Sequence, residues 1–285
     1  MTFDFSFPND LTDLRLRAQF VAEEGVKNFG SYDDSWINGY SKEFSKILAS
    51  EGWIGMTWPI EHGGGGRPGI ERIIVAEEML KVGAPIAASW VADRQMGPSI
   101  CAYGNEDQQK RFLPDMISGE STWCIGMSEP DSGSDLASLQ TFAKREGDYY
   151  IVNGQKIWTS IAAISEYCYL IVRTSNEGPP HRGLSELIVP MDIEGIEVRT
   201  IVDSVRNEHF CEIFFTDVKV PVENLVGEEN NAFSQTMSQL ENERGGIDRL
   251  MSNWLLFEKA CKAADLENPV VRQEIAKLET GYRIG

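Results

Sequence analysis

Hydrophobic and polar positions change texture twice along this 285-residue chain. Up to about residue 118, apolar residues recur three or four apart, which is the spacing of one helical face. Leu11, Leu14, Ala18 and Val21 form one such stripe, with Asn9 and Asp10 as candidate caps. Phe44, Ile47 and Leu48 form a second, ended by Gly52. Gly63 to Gly66 read as a flexible break, and Pro68 opens a third helix carrying Ile70, Ile73, Ile74 and Leu80. From about residue 120 the pattern turns to short strands: Tyr149–Val152, Tyr167–Val172, Glu186–Val189, Gly195–Ile201 and Cys211–Val220. Beyond Phe233 the helical period returns through Met237, Leu240, Leu250, Trp254, Leu255 and Ala260. A connector covers Ala263–Pro269, and a further helix begins near Val270. The expected architecture is multidomain α+β. It comprises an N-terminal α-helical domain (1–119), a middle β-sandwich or barrel domain (120–231) and the start of a C-terminal helical bundle (232–285).

Composition narrows the class. Hydrophobic content of 42% supports a sizeable core, and no apolar run of about eighteen residues suggests a membrane span. The N-terminus lacks the basic-then-apolar pattern of a signal peptide, so a cytoplasmic location is expected. A net charge of −18 disfavours nucleic acid and anionic membranes as partners. Five cysteines without a CxxC pair argue against a disulfide framework or structural zinc. Three scattered histidines suggest no metal site.

Two runs carry candidate chemistry. In Trp123–Asp135 a strand breaks at Glu129-Pro130 into the small-residue loop Asp131-Ser132-Gly133-Ser134-Asp135. Uncovered backbone N–H groups in such a loop can cradle phosphate oxygens. In Val152–Ser160, Asn153-Gly154 reads as a hairpin turn, and the returning strand ends in Trp158, Thr159 and Ser160. A phosphate nest beside an aromatic wall with polar tips suits a planar, phosphorylated cofactor.

Residue for residue, the chain resembles the acyl-CoA dehydrogenases. Gly52-Trp53 and Trp58 to Gly64 are similar to the family's early helix–loop–helix element. Tyr103 to Lys110 with Phe112-Leu113-Pro114 is similar to the helix feeding its middle domain, and Phe214 to Pro221 with Asn224 to Gly227 to that domain's last strand and exit. Family members normally continue beyond Tyr282-Arg283-Ile284-Gly285 to complete the C-terminal bundle, so the resemblance implies a C-terminally incomplete chain.

The resemblance implies FAD-dependent oxidation of an acyl-CoA thioester to the trans-2-enoyl-CoA, as in fatty acid β-oxidation and related lipid metabolism. A cofactor is required in any case, because no side chain accepts hydride. By the same resemblance Ile125, Met127 and Ser128 approach the flavin ring, and Gly133 and Ser134 hold the pyrophosphate. Ser134 also meets the acyl-CoA, and Trp158, Thr159 and Ser160 wall the isoalloxazine. Some branches, including those for isovaleryl and long-chain substrates, place the base glutamate before an arginine on the first helix after the β domain. Here that position is Glu243, with Arg244 shaping the substrate pocket and Glu241 as competitor and substrate contact. The run Ala92 to Pro98 is similar to bacterial members acting on broad or bulky substrates. Implied partners are an electron-transfer flavoprotein and further subunits, as a homotetramer or dimer or as a heteromer with a homologue. Two alternatives stay open: a catalytically silent partner subunit, and an oxygen-using acyl-CoA oxidase or flavin monooxygenase of the same fold.

Overall fold

The computed structural model describes residues 9–244 and 246–284, without the side chains of residues 9, 10 and 241–244. The chain forms two compact units, one of residues 1–44, 67–87 and 246–285 and the other of residues 45–66 and 88–245. The first unit is helical. It holds α1 (Asn9–Phe29), α2 (Ser35–Asn38), the start of α3 (Lys42–Ser50), α4 (Gly69–Val82), and, far along the chain, α9 (Asp248–Met251), α10 (Trp254–Ala263) and α11 (Pro269–Ile284). Ala18, Val21 and Ala22 of α1 are buried, as are Ile74, Met79 and Leu80 of α4. Ile70 and Ile73 of the expected apolar stripe instead stay exposed. Arg15 of α1 bridges Glu77 at 2.8 Å and also reaches Glu78, so one cation joins the two helices.

The second unit carries α5 (Ala87–Val91), a π-helical turn (Ala92–Met96), α6 (Gly97–Tyr103), α7 (Glu106–Ile117), eight strands and α8 (Ala232–Arg244). The strands are β1 (Trp123–Gly126), β2 (Phe142–Glu146), β3 (Tyr149–Ser160), β4 (Tyr167–Arg173), β5 (Leu184–Pro190), β6 (Ile196–Ile201), β7 (Phe210–Pro221) and β8 (Leu225–Val226). They form one sheet in the order β6-β7-β3-β2-β4-β5-β8, with β1 added parallel to β4. β4 is buried on both faces, which explains its unbroken apolar run. Tyr169 and Ile171 join the cluster shared with α6 and α7, while Cys168, Leu170 and Val172 face the cluster within the sheet.

The structure thus has the expected α+β architecture, with a helical N-terminal part, a middle sheet and C-terminal helices. Two local expectations are corrected. Asn153-Gly154 is not a turn; both residues lie inside β3, at a register shift opposite β7, and the tight turn between β2 and β3 contains Gly147. Asn153 and Asp217 exchange two hydrogen bonds across the strands, at 3.0 and 2.9 Å, which holds the bulge. Gly154, at φ +149°, leaves only 2.6 Å between a would-be Cβ and the Cα of Thr141. The Gly63–Gly66 run is no flexible break. Its N–H groups bond the carbonyls of Pro59, Gly55 and Trp58, and a Cβ at Gly64 would sit 2.4 Å from the Trp58 carbonyl oxygen.

Candidate functional site

The two sequence runs meet in space. The Ile157 N–H donates to the Ser128 carbonyl at 2.9 Å, and Lys156 Nζ donates to the Met127 carbonyl at 3.0 Å. The tip of β1, with Ile125, Met127 and Ser128 half-buried, therefore lies beside the far end of β3.

Lys156 is fully buried and also donates to Glu129 Oε1 at 2.9 Å. Glu129 accepts two more bonds, from the N–H groups of Gln140 (2.6 Å) and Thr141 (2.8 Å). One side chain at the head of the 129–140 loop thus ties down its tail. Burial pushes the Glu129 carboxyl up, but Lys156 and the N–H donors outweigh it, and the group ends below its ordinary value. Burial pulls Lys156 down to about 8, against the opposing pull of Glu129. The pair is ionised at neutral pH.

Within the loop, Ser132 Oγ donates to the Asp135 carbonyl at 2.8 Å, and Glu129 and Ser132 exchange backbone bonds. Arg173, buried at the end of β4, donates to the carbonyls of Ala137 (2.6 Å), Leu139 (3.0 Å), Pro180 (3.1 Å) and Ser175 (3.3 Å). This guanidinium brings positive charge behind the loop in a strongly acidic chain. Gly133 and Ser134 are exposed at its tip, and their N–H groups have no partner among the described residues. A Cβ at Gly133 would meet nothing within 4 Å, so the space in front of the tip is open.

At the end of β3 the register against β7 shifts between Lys156 and Thr159. Trp158 sits in that bulge at φ +60°, a left-handed conformation that costs a bulky residue of order 1–3 kcal/mol. Its indole is 57% exposed and meets Phe210 edge-on at 5.9 Å, so it is not core packing. The Thr159 hydroxyl is buried without a partner among the described residues, and Ser160 is half-buried opposite Phe210. Strain that aims a large aromatic ring at solvent, beside an unsatisfied hydroxyl, marks a binding surface.

α8 docks on β5 through a second buried carboxylate. Glu186 accepts from Thr236 Oγ1 (2.6 Å), Gln235 Nε2 (2.7 Å) and Tyr169 Oη (2.8 Å). Among the described residues no cation contacts it, and burial pushes its carboxyl above the ordinary value against those three donors. Farther along α8, Gln239 Nε2 lies 4.0 Å from Met96 Sδ, at the end of the π-turn. One turn on, the backbone places position 243 on the same helical face as Gln239. The side chains of Glu241, Glu243 and Arg244 lie outside the described residues.

Sequence reading missed Lys156, Arg173, Glu186 and the π-turn. Arg173 and Glu186 had a visible signal, since one ends and the other interrupts a mostly apolar strand, whereas Lys156 lies in the mixed run of β3 and had none. A π-turn has no comparable signature.

The residues at these strand ends fit a flavin dinucleotide. They supply an exposed indole, an orphaned hydroxyl, and open N–H groups backed by a guanidinium. Comparison with known proteins agrees. Residues 13–120 match the acyl-CoA dehydrogenase N-terminal domain and residues 124–218 the acyl-CoA dehydrogenase middle domain. The chain belongs to the acyl-CoA dehydrogenase family. Acyl-CoA dehydrogenase IpdE1 of Mycobacterium tuberculosis is 34% identical over 276 residues, which cover 94% of this chain and 71% of that protein. Among solved structures, the Tcur3481-Tcur3483 steroid ACAD superposes with a TM-score of 0.85 at 34% identity, covering 98% of this chain and 75% of that one. The ChsE4-ChsE5 complex of M. tuberculosis superposes at 0.86 and 29% identity, covering 99% and 75%. Among the described residues no helix is long and apolar enough to cross a membrane.

Proposed function

We propose that this protein is a FAD-dependent acyl-CoA dehydrogenase that converts a bulky acyl-CoA thioester to its trans-2-enoyl-CoA. The observation that carries this reading is the pairing of the two runs through Ile157 and Ser128, which sets Trp158 beside the loop bearing Gly133 and Ser134. Bound FAD supplies the acceptor for the hydride that leaves C3. Gly133 and Ser134 hold its diphosphate through main-chain N–H groups, with Arg173 fixing the loop behind them. Trp158 would form the wall beside the flavin, Thr159 and Ser160 would supply hydroxyls to it, and Ile125, Met127 and Ser128 would line the other strand tip. Ser134 also contacts the thioester substrate.

Glu243 takes the C2 proton onto its carboxylate as the C2=C3 bond forms. Glu241 is its competitor two residues away, and Arg244 shapes the pocket. A carboxylate dried by a bound thioester rises towards neutrality, where a base works best. Electrons then pass to an electron-transfer flavoprotein. The protein works in the cytoplasm as a tetramer or as one subunit of a heteromer. The heteromer has specific support in the likeness to the Tcur3481-Tcur3483 steroid ACAD and to the ChsE4-ChsE5 complex.

Glu243→Gln in the intact protein tests the assignment. Turnover with a dye acceptor should fall by about 10²–10⁴-fold while the yellow colour is retained. Near-normal turnover would move the base to Glu241 or elsewhere. A chain that stays colourless after reconstitution would instead be a silent subunit. Peroxide release in place of acceptor reduction would make it an oxidase.

A further inference from the structure

Three consecutive residues of β5 grip the start of α8. Leu184 forms a β-bridge with Asn231, Ser185 Oγ accepts from the Asn230 N–H at 2.8 Å, and Glu186 takes the side chains of Gln235 and Thr236. Glu186, Gln235 and Thr236 are all buried. Tyr169 Oη, on β4, donates to the same carboxylate at 2.8 Å and holds it in turn. Gly227 makes room for the grip. It stands at φ +70°, and a Cβ added there would lie 2.0 Å from Gln235 Oε1. An apolar residue at 186 would also pack against α8, and it would avoid the desolvation of a carboxylate. What it would not do is fix the helix's rotation. Glu186 Oε1 accepts from Thr236 at 2.6 Å and Oε2 from Gln235 at 2.7 Å, and two such bonds to adjacent helix residues define one rotation and one height of α8.

We propose that Glu186 is a positioning residue for proton removal: by fixing the rotation and height of α8 through Gln235 and Thr236, it sets where the base at position 243 stands. This rests on the reading of Glu243 as the base and adds a residue that acts through it. Thr236, Gln239 and position 243 recur at i, i+3 and i+7, so they share one face of α8. Position 243 lies two turns beyond Thr236, about 10 Å along the axis. A slip of one residue at the Glu186 bonds would turn the helix by about 100° and move it by about 1.5 Å. A misplacement of about 1 Å at the reacting atoms can cost on the order of 10²-fold in rate. The carboxylate of Glu186 itself takes no proton from the substrate; its part is geometric.

The test measures single-turnover bleaching of the flavin in the holoenzyme. The probe is whichever of a panel of linear and branched acyl-CoA thioesters the parent oxidises fastest with a dye acceptor. Thr236→Val keeps the side-chain shape and removes one donor. Its bleaching rate constant and kcat should fall by roughly 10-fold or more, while bleaching amplitude, KM and flavin content stay near those of the parent. Thr236→Ser keeps the hydroxyl and should restore the rate. Glu186→Ala should repeat the loss more strongly. Glu186→Gln can re-form the bonds once the Gln235 amide turns over, so it should stay close to the parent. A merely structural role would leave fewer active molecules, seen as a smaller amplitude at an unchanged rate constant. That outcome, or a parental rate in Thr236→Val, would overturn the inference and leave the dehydrogenase reading standing. A parent that holds flavin and oxidises no thioester would instead refute that reading, and the inference with it.

Discussion

Glu129, at the tip of β1, and Glu186, in the middle of β5, are both buried carboxylates holding separate pieces of one unit together, yet their surroundings differ in kind. Glu129 has a buried cation and two backbone donors. Its carboxyl lies below the ordinary value because these outweigh its desolvation. Glu186 has three neutral donors and, among the described residues, no cation, and desolvation wins. The first arrangement fixes the loop whose N–H groups are proposed to meet an anion, where an uncompensated negative charge would repel it. The second docks a helix, and it tolerates the cost of a lone buried charge. Of the three buried cations among the described residues, Arg94, Lys156 and Arg173, the last two stand behind the proposed diphosphate loop.

Lys156→Met should break the comparison most severely. Removing one partner strands the other charge, and such losses cost about 3–5 kcal/mol. The variant is expected to lose bound flavin and to unfold at a markedly lower denaturant midpoint. If the midpoint is unchanged, the pair is not what holds the loop. Acid titration sharpens the same point. Because the folded-state value of Glu129 lies below its ordinary 4.5, its contribution is complete above that pH and is lost as pH falls through the folded value. Unfolding followed from pH 6 to pH 3 should show this loss, and Glu129→Gln should flatten it.

A smaller effect is expected at Trp158. Trp158→Gly relieves the left-handed backbone and removes a ring that is mostly exposed, so stability should stay within about 1 kcal/mol of the parent. Flavin affinity should nevertheless fall at least tenfold, read by absorbance on dilution. A large drop in stability with flavin affinity preserved would make the indole structural after all. The smallest effect belongs to Glu186→Gln, which keeps the shape and removes the uncompensated charge. The folded Glu186 holds its proton above 4.5 where the unfolded chain has released it, so its contribution declines as pH rises through that window. The variant should gain on the parent in Tm as pH rises from 4.5 to 7. A constant difference across that range would show that Glu186 carries no unpaired charge.

Much of the fold was legible before any coordinates. Runs rich in β-branched and aromatic residues located β4 through β7 to within a few residues, whereas β3 was read as two strands joined by a turn. The candidate cofactor runs were also legible, because a Gly/Ser loop after a strand and a terminal Trp-Thr-Ser are local features. What was not legible depended on partners far away in sequence. β2 was missed because Phe142–Glu146 is short and mostly polar, and it becomes a strand only by pairing with β3 and β4. Asn153-Gly154 carries a strong hairpin signal, but continuous pairing with β7 and the Asn153–Asp217 bonds override it.

The sequence by itself determined the order of helical and strand segments and pointed to the residues proposed for the cofactor, since these follow from local spacing and composition. Only the tertiary structure decided that residues 127–128 and 156–158 lie side by side, that Trp158 is turned outward, and that Glu129 and Glu186 face opposite electrostatic surroundings. Each of those outcomes is a long-range packing event. The energy of a buried charge or a strained residue is set by atoms that may be a hundred positions away along the chain.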